Sequence, residues 1–90
     1  MVYITHIRLS GGRGVQHITH VRWEQPSYGR SGTYARQQMV DYINGGNDVY
    51  VRGHGNANDA KVVVVNTNPP HLKTVADGRE TNNLLSLPEF

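Results

Sequence analysis

Ile4-Thr5-His6-Ile7-Arg8 and Ile18-Thr19-His20-Val21-Arg22 repeat one pattern at an interval of fourteen residues. Copies this close are too short for solenoid units, which need on the order of 20–45 residues each. They read as the two strands of a hairpin. The joining stretch, Ser10-Gly11-Gly12-Arg13-Gly14-Val15, carries the glycines that a tight or bulged connection needs. Plain alternation puts Tyr3, Thr5, Ile7 and Leu9 on one face of the first strand and Ile4, His6 and Arg8 on the other. On the second strand it separates Thr19, Val21 and Trp23 from Ile18, His20 and Arg22. Sending both apolar sets to one core predicts Ile7 opposite Thr19 and His6 opposite His20. A one-residue slip would turn Val21 and Trp23 toward the side of His6 and Arg8. The four basic residues His6, Arg8, His20 and Arg22 are therefore expected together, away from the core. Ile4 and Ile18 fall on that same face, which suits a subunit contact, a ligand or a docked C-terminal tail better than open water.

Outward from the hairpin, residues 24–32 (Glu24 to Gly32) hold Pro26, Gly29 and two serines and read as a loop. A helix is predicted from Thr33 to Asn44, capped by Ser31 or Thr33. Ala35, Met39, Tyr42 and Ile43 form its apolar stripe, and Asn44-Gly45-Gly46 ends it. Asp48 to Arg52 alternates as a strand, and His54 to Asp59 reads as a polar turn. Val62-Val63-Val64-Val65 is apolar on both faces, the mark of a central or inter-subunit strand. His71 to Val75 follows Pro69-Pro70 as another strand, and Asp77-Gly78 is a hairpin turn signal. Leu84, Leu85, Leu87 and Phe90 make the tail too apolar to hang free, so it is expected to dock on the core. The order predicts one α+β domain over residues 1–90: a mostly antiparallel sheet of four to five strands, in the order ββ-α-ββ plus a C-terminal β element, with one helix packed across it.

Composition agrees with one domain. Ninety residues are too few for two ordinary cores, and 37% hydrophobic with 18% charged residues is a globular balance. The absence of cysteine excludes disulfides, thiolate metal sites and cysteine nucleophiles. No apolar run approaches the ~20 residues of a membrane span, and no signal peptide is visible. No membrane partner is expected, and a cytoplasmic location is. A net charge of +2 permits nucleotide or nucleic-acid partners without requiring them.

Thr74, Asp77-Gly78, Asn83-Leu84-Leu85 and Leu87-Pro88, with Ile4-Thr5-His6-Ile7-Arg8 and the helix end Tyr42-Ile43-Asn44-Gly45-Gly46, form a pattern that spans nearly the whole chain. In it the chain resembles the DUF3892 family of small bacterial proteins. The resemblance implies a single domain of bacterial or phage origin. It implies no catalytic residues, since the family's function is unknown.

Chemistry must then come from the residues. Arg8 and Arg22 offer planar forks suited to phosphate or carboxylate, and His6 and His20 add hydrogen bonds beside them. Against this stands a plain solvated sheet face. The five histidines His6, His17, His20, His54 and His71 lack HxH, HExxH or carboxylate-histidine spacing, so no metal is expected. The glycine-rich loop with Arg13 could cradle a phosphate, but it has no Walker lysine and opens no helix. Thr74, Asp77, Asn82 and Asn83 suit a fixed turn or the reading of a base or sugar edge. Tyr28 and Tyr50 are candidate stacking rings. No GxSxG and no usable carboxylate pair supports catalysis. The sequence therefore predicts a non-enzymatic binding module without a cofactor. Its expected ligand is a nucleotide or nucleic acid, held by His6, Arg8, His20, Arg22, Arg52, Lys73, Tyr50 and Asn83, and a phage- or bacterium-encoded nucleotide-sequestering protein is one form this module could take. The alternative is a structural homo-oligomer with no small ligand, completed across the Ile4/Ile18 face and the valine strand.

Overall fold

The repeated segments pair as a hairpin, but each carries one irregularity. The computed structural model describes residues 1–53, 58–76 and 84–90 in full and the backbone of residues 79–81. In it β1 (Val2–Leu9) and β2 (Ile18–Gln25) run antiparallel with His6↔Arg22, Ile7↔Val21 and Arg8↔His20 as partners. The expected pairing of Ile7 with Thr19 and His6 with His20 is thus two residues out of register. Pairing steps from Ile4↔Trp23 to His6↔Arg22, and from Arg8↔His20 to Leu9↔Ile18, which leaves Thr5 and Thr19 as the extra residues of two β-bulges. A bulge reverses the alternation of its strand. Val2 and Ile4 are buried before the first bulge and Ile7 after it, just as Ile18 precedes the second and Val21 follows it. Ile4 at 1% exposure and Ile18 at 0% therefore belong to the core, not to the His/Arg face where plain alternation put them.

The sequence repeat becomes a local two-fold relation in space. The Thr5 hydroxyl donates to the Arg22 carbonyl at 3.4 Å, and the Thr19 hydroxyl donates to the Arg8 carbonyl at 3.3 Å. His6 Nδ1 lies 2.9 Å from Thr5 Oγ1, and His20 Nδ1 lies 3.0 Å from Thr19 Oγ1. Each imidazole is thus anchored through Nδ1 to the threonine that precedes it, with the same geometry in both copies.

The next strand was not legible in the sequence. The expected loop over residues 24–32 and the helix start at Thr33 are both corrected: β2 continues to Gln25, a short 3-10 turn covers Pro26–Tyr28, and β3 (Arg30–Ala35) pairs along β2. Gly29 closes the turn at φ 62°, a left-handed conformation that glycine adopts without steric cost. Polar, glycine-bearing β3 owes its shape to its neighbour rather than to propensity. A Cβ on Gly32 would stand 2.9 Å from Trp23 Cζ2, so the indole packs directly on this glycine. Gly32→Ala should push the indole aside and lower stability by about 1–2 kcal/mol. Urea unfolding followed by the emission of Trp23, the single tryptophan, measures both effects.

Helix α1 spans Arg36–Asn44. Neither Ser31 nor Thr33 caps it, since both lie in β3; instead Gln38 Oε1 accepts from the Ala35 N–H at 2.8 Å. Met39 and Val40 are buried, with Tyr42 and Ile43 packed at the margin of the core. The helix crosses one face of the sheet and returns the chain to the far side of β1. There β4 (Val49–Val51) pairs with β1 in parallel, Val2 beside Val49 and Tyr3 beside Tyr50. Then β5 (Ala60–Val65), β6 (His71–Ala76) and β7 (Arg79–Thr81) continue antiparallel. The order is β3-β2-β1-β4-β5-β6-β7, an α+β fold with seven strands rather than four to five. The surplus is at the two edges, where β3 and β7 are recruited by pairing. Ala76 pairs with Arg79, while Asp77-Gly78 itself lies outside the described residues. The valine strand β5 is interior, between β4 and β6, yet only one of its faces is covered. Val62 is fully buried, whereas Val63 and Val65 are half-buried on the face without the helix.

The tail docks, as its composition predicts. Leu84, in a 3-10 turn (Leu84–Ser86), is fully buried, and Leu85 and Leu87 pack against the core. Pro88 to Phe90 then lies along the open edge of β1. The Ile7 N–H donates to the Pro88 carbonyl at 2.9 Å, and the Phe90 N–H donates to the Ile7 carbonyl at 3.0 Å. No described helix is long and apolar enough to cross a membrane.

Candidate functional site

Register fixes which face each candidate residue occupies. His6, Arg8, His20 and Arg22 follow the bulges and alternate with buried Ile7 and Val21, so they face away from the helix. Tyr3 precedes its bulge, between buried Val2 and Ile4, and joins the same face. Tyr50 pairs with Tyr3, Lys61 with Tyr50, and Lys73 with Val63, which carries this face across β4, β5 and β6. Seven of the eight expected ligand-binding residues, namely His6, Arg8, His20, Arg22, Tyr50, Arg52 and Lys73, thus share the helix-free face. The eighth, Asn83, lies outside the described residues, as do Asp77, Asn82 and His54.

They form two clusters and an outlier. In the first, the ring of Phe90 lies against both hairpin arginines, with Arg8 Cζ 4.6 Å and Arg22 Cζ 4.4 Å from its centroid. Arg8 Nε also donates to the Phe90 backbone oxygen at 2.9 Å. In the second, Arg52 stacks 4.1 Å over the Tyr3 ring and donates to Glu24 at 3.0 Å, while Tyr50 stands 6.5 Å from Tyr3. Each such cation–π contact is worth about 0.5–1 kcal/mol at an exposed site. Lys73, on β6, is separated from the arginine pair by β4 and β5 and does not join either cluster.

The hairpin arginines keep donors that the fold does not use. Arg8 spends one N–H on Phe90, and Arg22 has no hydrogen-bond or ion-pair acceptor among the described residues. Both guanidinium carbons lie over the Phe90 ring, and both residues are exposed. Of the described side-chain carboxylates, Glu24 pairs with Arg52 at 3.0 Å and Asp48 with Lys61 at 3.4 Å, while Arg8, Arg22 and Lys73 have no ion-pair partner among the described side chains. An excess of cations beside aromatic rings suits an anion that also carries a planar ring.

Phe90 and Tyr3 were missed in the sequence. The tail reads as a core-docking segment, and nothing local shows that its last ring stacks on arginines from residues 8 and 22. Tyr3 read as a core residue because the bulge at Thr5 leaves no local sequence mark. The other candidates disperse. Arg13 on the glycine loop pairs with Glu89 at 3.5 Å, and the loop closes on itself through His17 N–H to the Gly14 carbonyl at 2.9 Å. Thr74 is fully buried on the helix side, His71 Nδ1 lies 2.8 Å from Thr67 Oγ1, and Tyr28 is 71% exposed at the β2–β3 turn. Among the described residues no three His, Asp or Glu side chains gather as a metal site.

A family model described as a protein of unknown function, DUF3892, matches residues 3–88. No curated protein and no solved structure matches the chain.

Proposed function

Because the chain belongs to the DUF3892 family, whose description assigns no activity, we propose a function from its own residues: a non-enzymatic module that binds an anionic ligand, a nucleotide or a nucleic-acid strand, across the helix-free face. The observation that carries this reading is the exposed Arg8–Arg22 pair, both guanidinium groups held over one ring. Tyr3 and Tyr50 add aromatic surface beside it, and Lys61 and Lys73 extend the positive charge along the sheet. An open face with spaced cations and rings suits a single strand, whose phosphates follow the charge while its bases stack. A cytoplasmic, phage- or bacterium-encoded protein that sequesters nucleotides is the setting this chemistry fits.

The test is fluorescence anisotropy with a labelled oligothymidine, run beside a thermal-shift series with free nucleotides. Saturable binding that weakens as salt rises supports the reading. No response to either ligand overturns it. Phe90 enters as a positioning residue, since its ring holds both guanidinium planes. Phe90→Ala should weaken oligonucleotide affinity about three- to tenfold through the loss of two cation–π contacts. An unchanged affinity in a folded Phe90→Ala variant would show that the arginines need no such support.

A homo-oligomer is the second reading, favoured by one observation. Val63, Val65 and Val75 are half-exposed on this same face, and a partner subunit could cover them. Light scattering that finds a defined oligomer, together with no oligonucleotide response, would select it.

A further inference from the structure

The opposite side of the sheet holds a cavity unrelated to the His/Arg cluster. It lies where α1 meets the β2–β3 end, has a volume of about 210 Å³, and is lined by Val2, Trp23, Gln25, Arg30, Tyr34 and Tyr42. Register explains the gathering. Gln25 pairs with Arg30, and Trp23 with Gly32, so Gln25, Trp23, Arg30 and Tyr34 share the helix side of adjacent strands. Tyr42 reaches the same space from the last turn of α1.

Three rings stand in series along this wall. Trp23 and Tyr34 have centroids 5.3 Å apart at 49°, and Tyr34 and Tyr42 are 6.2 Å apart at 60°. Two polar groups on the lining residues have no use in the fold. Arg30 is exposed and, among the described residues, makes no ion pair. The Trp23 indole Nε1 is the one buried side-chain polar atom without a hydrogen-bond partner among the described residues. Buried indole N–H groups ordinarily find an acceptor, so an orphan on a cavity-lining residue asks for an explanation. Pockets for drug-sized ligands measure roughly 300–1,000 Å³; this cavity is smaller and has room for one ring with a small substituent.

We propose that the cavity binds a small planar aromatic carboxylate. The ring lies among Trp23, Tyr34 and Tyr42, where offset and edge contacts are favoured. The carboxylate pairs with the Arg30 guanidinium, whose planar fork matches it, and the Gln25 amide supplies a further donor. Cationic ligands are rejected by Arg30, and a fused dinucleotide does not fit the volume. This site is independent of the helix-free face, and neither needs the other.

The experiment uses benzoate with the full chain and exploits the single tryptophan. Trp23 emission, excited where benzoate does not absorb, and the lone indole N–H resonance in a proton–nitrogen spectrum should both change saturably. A ligand this small is expected to half-saturate near about 1 mM. Arg30→Ala, at an exposed position that does not threaten folding, should weaken binding about three- to tenfold, the modest range an exposed pair supports. Cyclohexanecarboxylate, which lacks the planar ring, and benzamide, which lacks the charge, should each bind more weakly than benzoate. A response linear in benzoate, an Arg30→Ala curve that overlays the parent, or equal binding of cyclohexanecarboxylate would each overturn the proposal.

Discussion

Ile4→Asn and Ile18→Asn are each expected to leave the domain largely unfolded at room temperature, while His6→Asn and His20→Asn on the neighbouring face leave it folded. The cause lies in the bulges at Thr5 and Thr19. They turn both isoleucines into the core, where their exposure is 1% and 0%. Truncating a buried isoleucine costs about 2–5 kcal/mol through lost transfer energy and the cavity left behind. An asparagine amide stranded there without partners adds about 1–3 kcal/mol more. The sum rivals the whole stability of a small domain, about 5–10 kcal/mol at the lower end of the usual range. Surface substitutions, by contrast, usually stay within about 0.5 kcal/mol. Far-ultraviolet circular dichroism and urea titration measure the difference. Ile4→Ala, expected to cost about 2–4 kcal/mol, gives a graded value if the asparagine variants cannot be purified. If Ile4→Asn keeps the parent's unfolding midpoint, Ile4 is not a core residue and the bulge is wrong.

That prediction marks the boundary between what sequence shows and what only three dimensions show. The hairpin was legible because two copies of one alternating pattern flank a glycine-rich stretch. Its bulges were not, since threonine is as good a strand residue as any and carries no local sign that it is the extra one. The consequence is selective. His6, Arg8, His20 and Arg22 all follow a bulge, so their common face survives the misreading, and a register error of two residues also preserves parity. Ile4, Ile18 and Tyr3 precede a bulge and change sides. Two isoleucines on a basic face therefore reflect two unread bulges, at Thr5 and at Thr19, rather than an interface. The same logic holds at longer range. Tyr50 and Arg52 share one face of a strand that alternation predicts, but their place beside Tyr3 depends on a parallel pairing of β1 with β4 that only the crossover through α1 creates. Phe90 reaches the arginines from the far end of the chain, a closure that composition does not encode. The cavity by α1 was hidden for a third reason: it needs β3, and residues 30–35 read as the end of a loop and the start of a helix.

Arg8→Ala combined with Arg22→Ala is expected to lower affinity for a single-stranded oligonucleotide by about 30- to 100-fold at low salt, since each exposed charge-assisted contact to phosphate is worth roughly tenfold or slightly less. The salt dependence carries the stronger discrimination. Counterion release from a single strand contributes about 0.7 to the log–log slope per neutralised phosphate. With Arg8, Arg22, Arg52, Lys61 and Lys73 all engaged, the parent slope should approach about −3.5, and the double variant should lose about 1.4 of it. Lys73→Ala, remote from the clamp, should lose about 0.7 while leaving the stacked pair intact. Substituting lysine for both arginines separates charge from shape: the slope should return to the parent value while affinity recovers only in part. Lysine restores the positive charge but not the planar fork that stacks on Phe90. Thermal unfolding of each variant guards against a trivial loss of fold, since removing two exposed cation–π contacts should cost only about 1–2 kcal/mol. If the double alanine variant binds with the parent's affinity and slope, the helix-free face is not where a strand lies. Its half-exposed valines would then direct attention to a second copy of the chain.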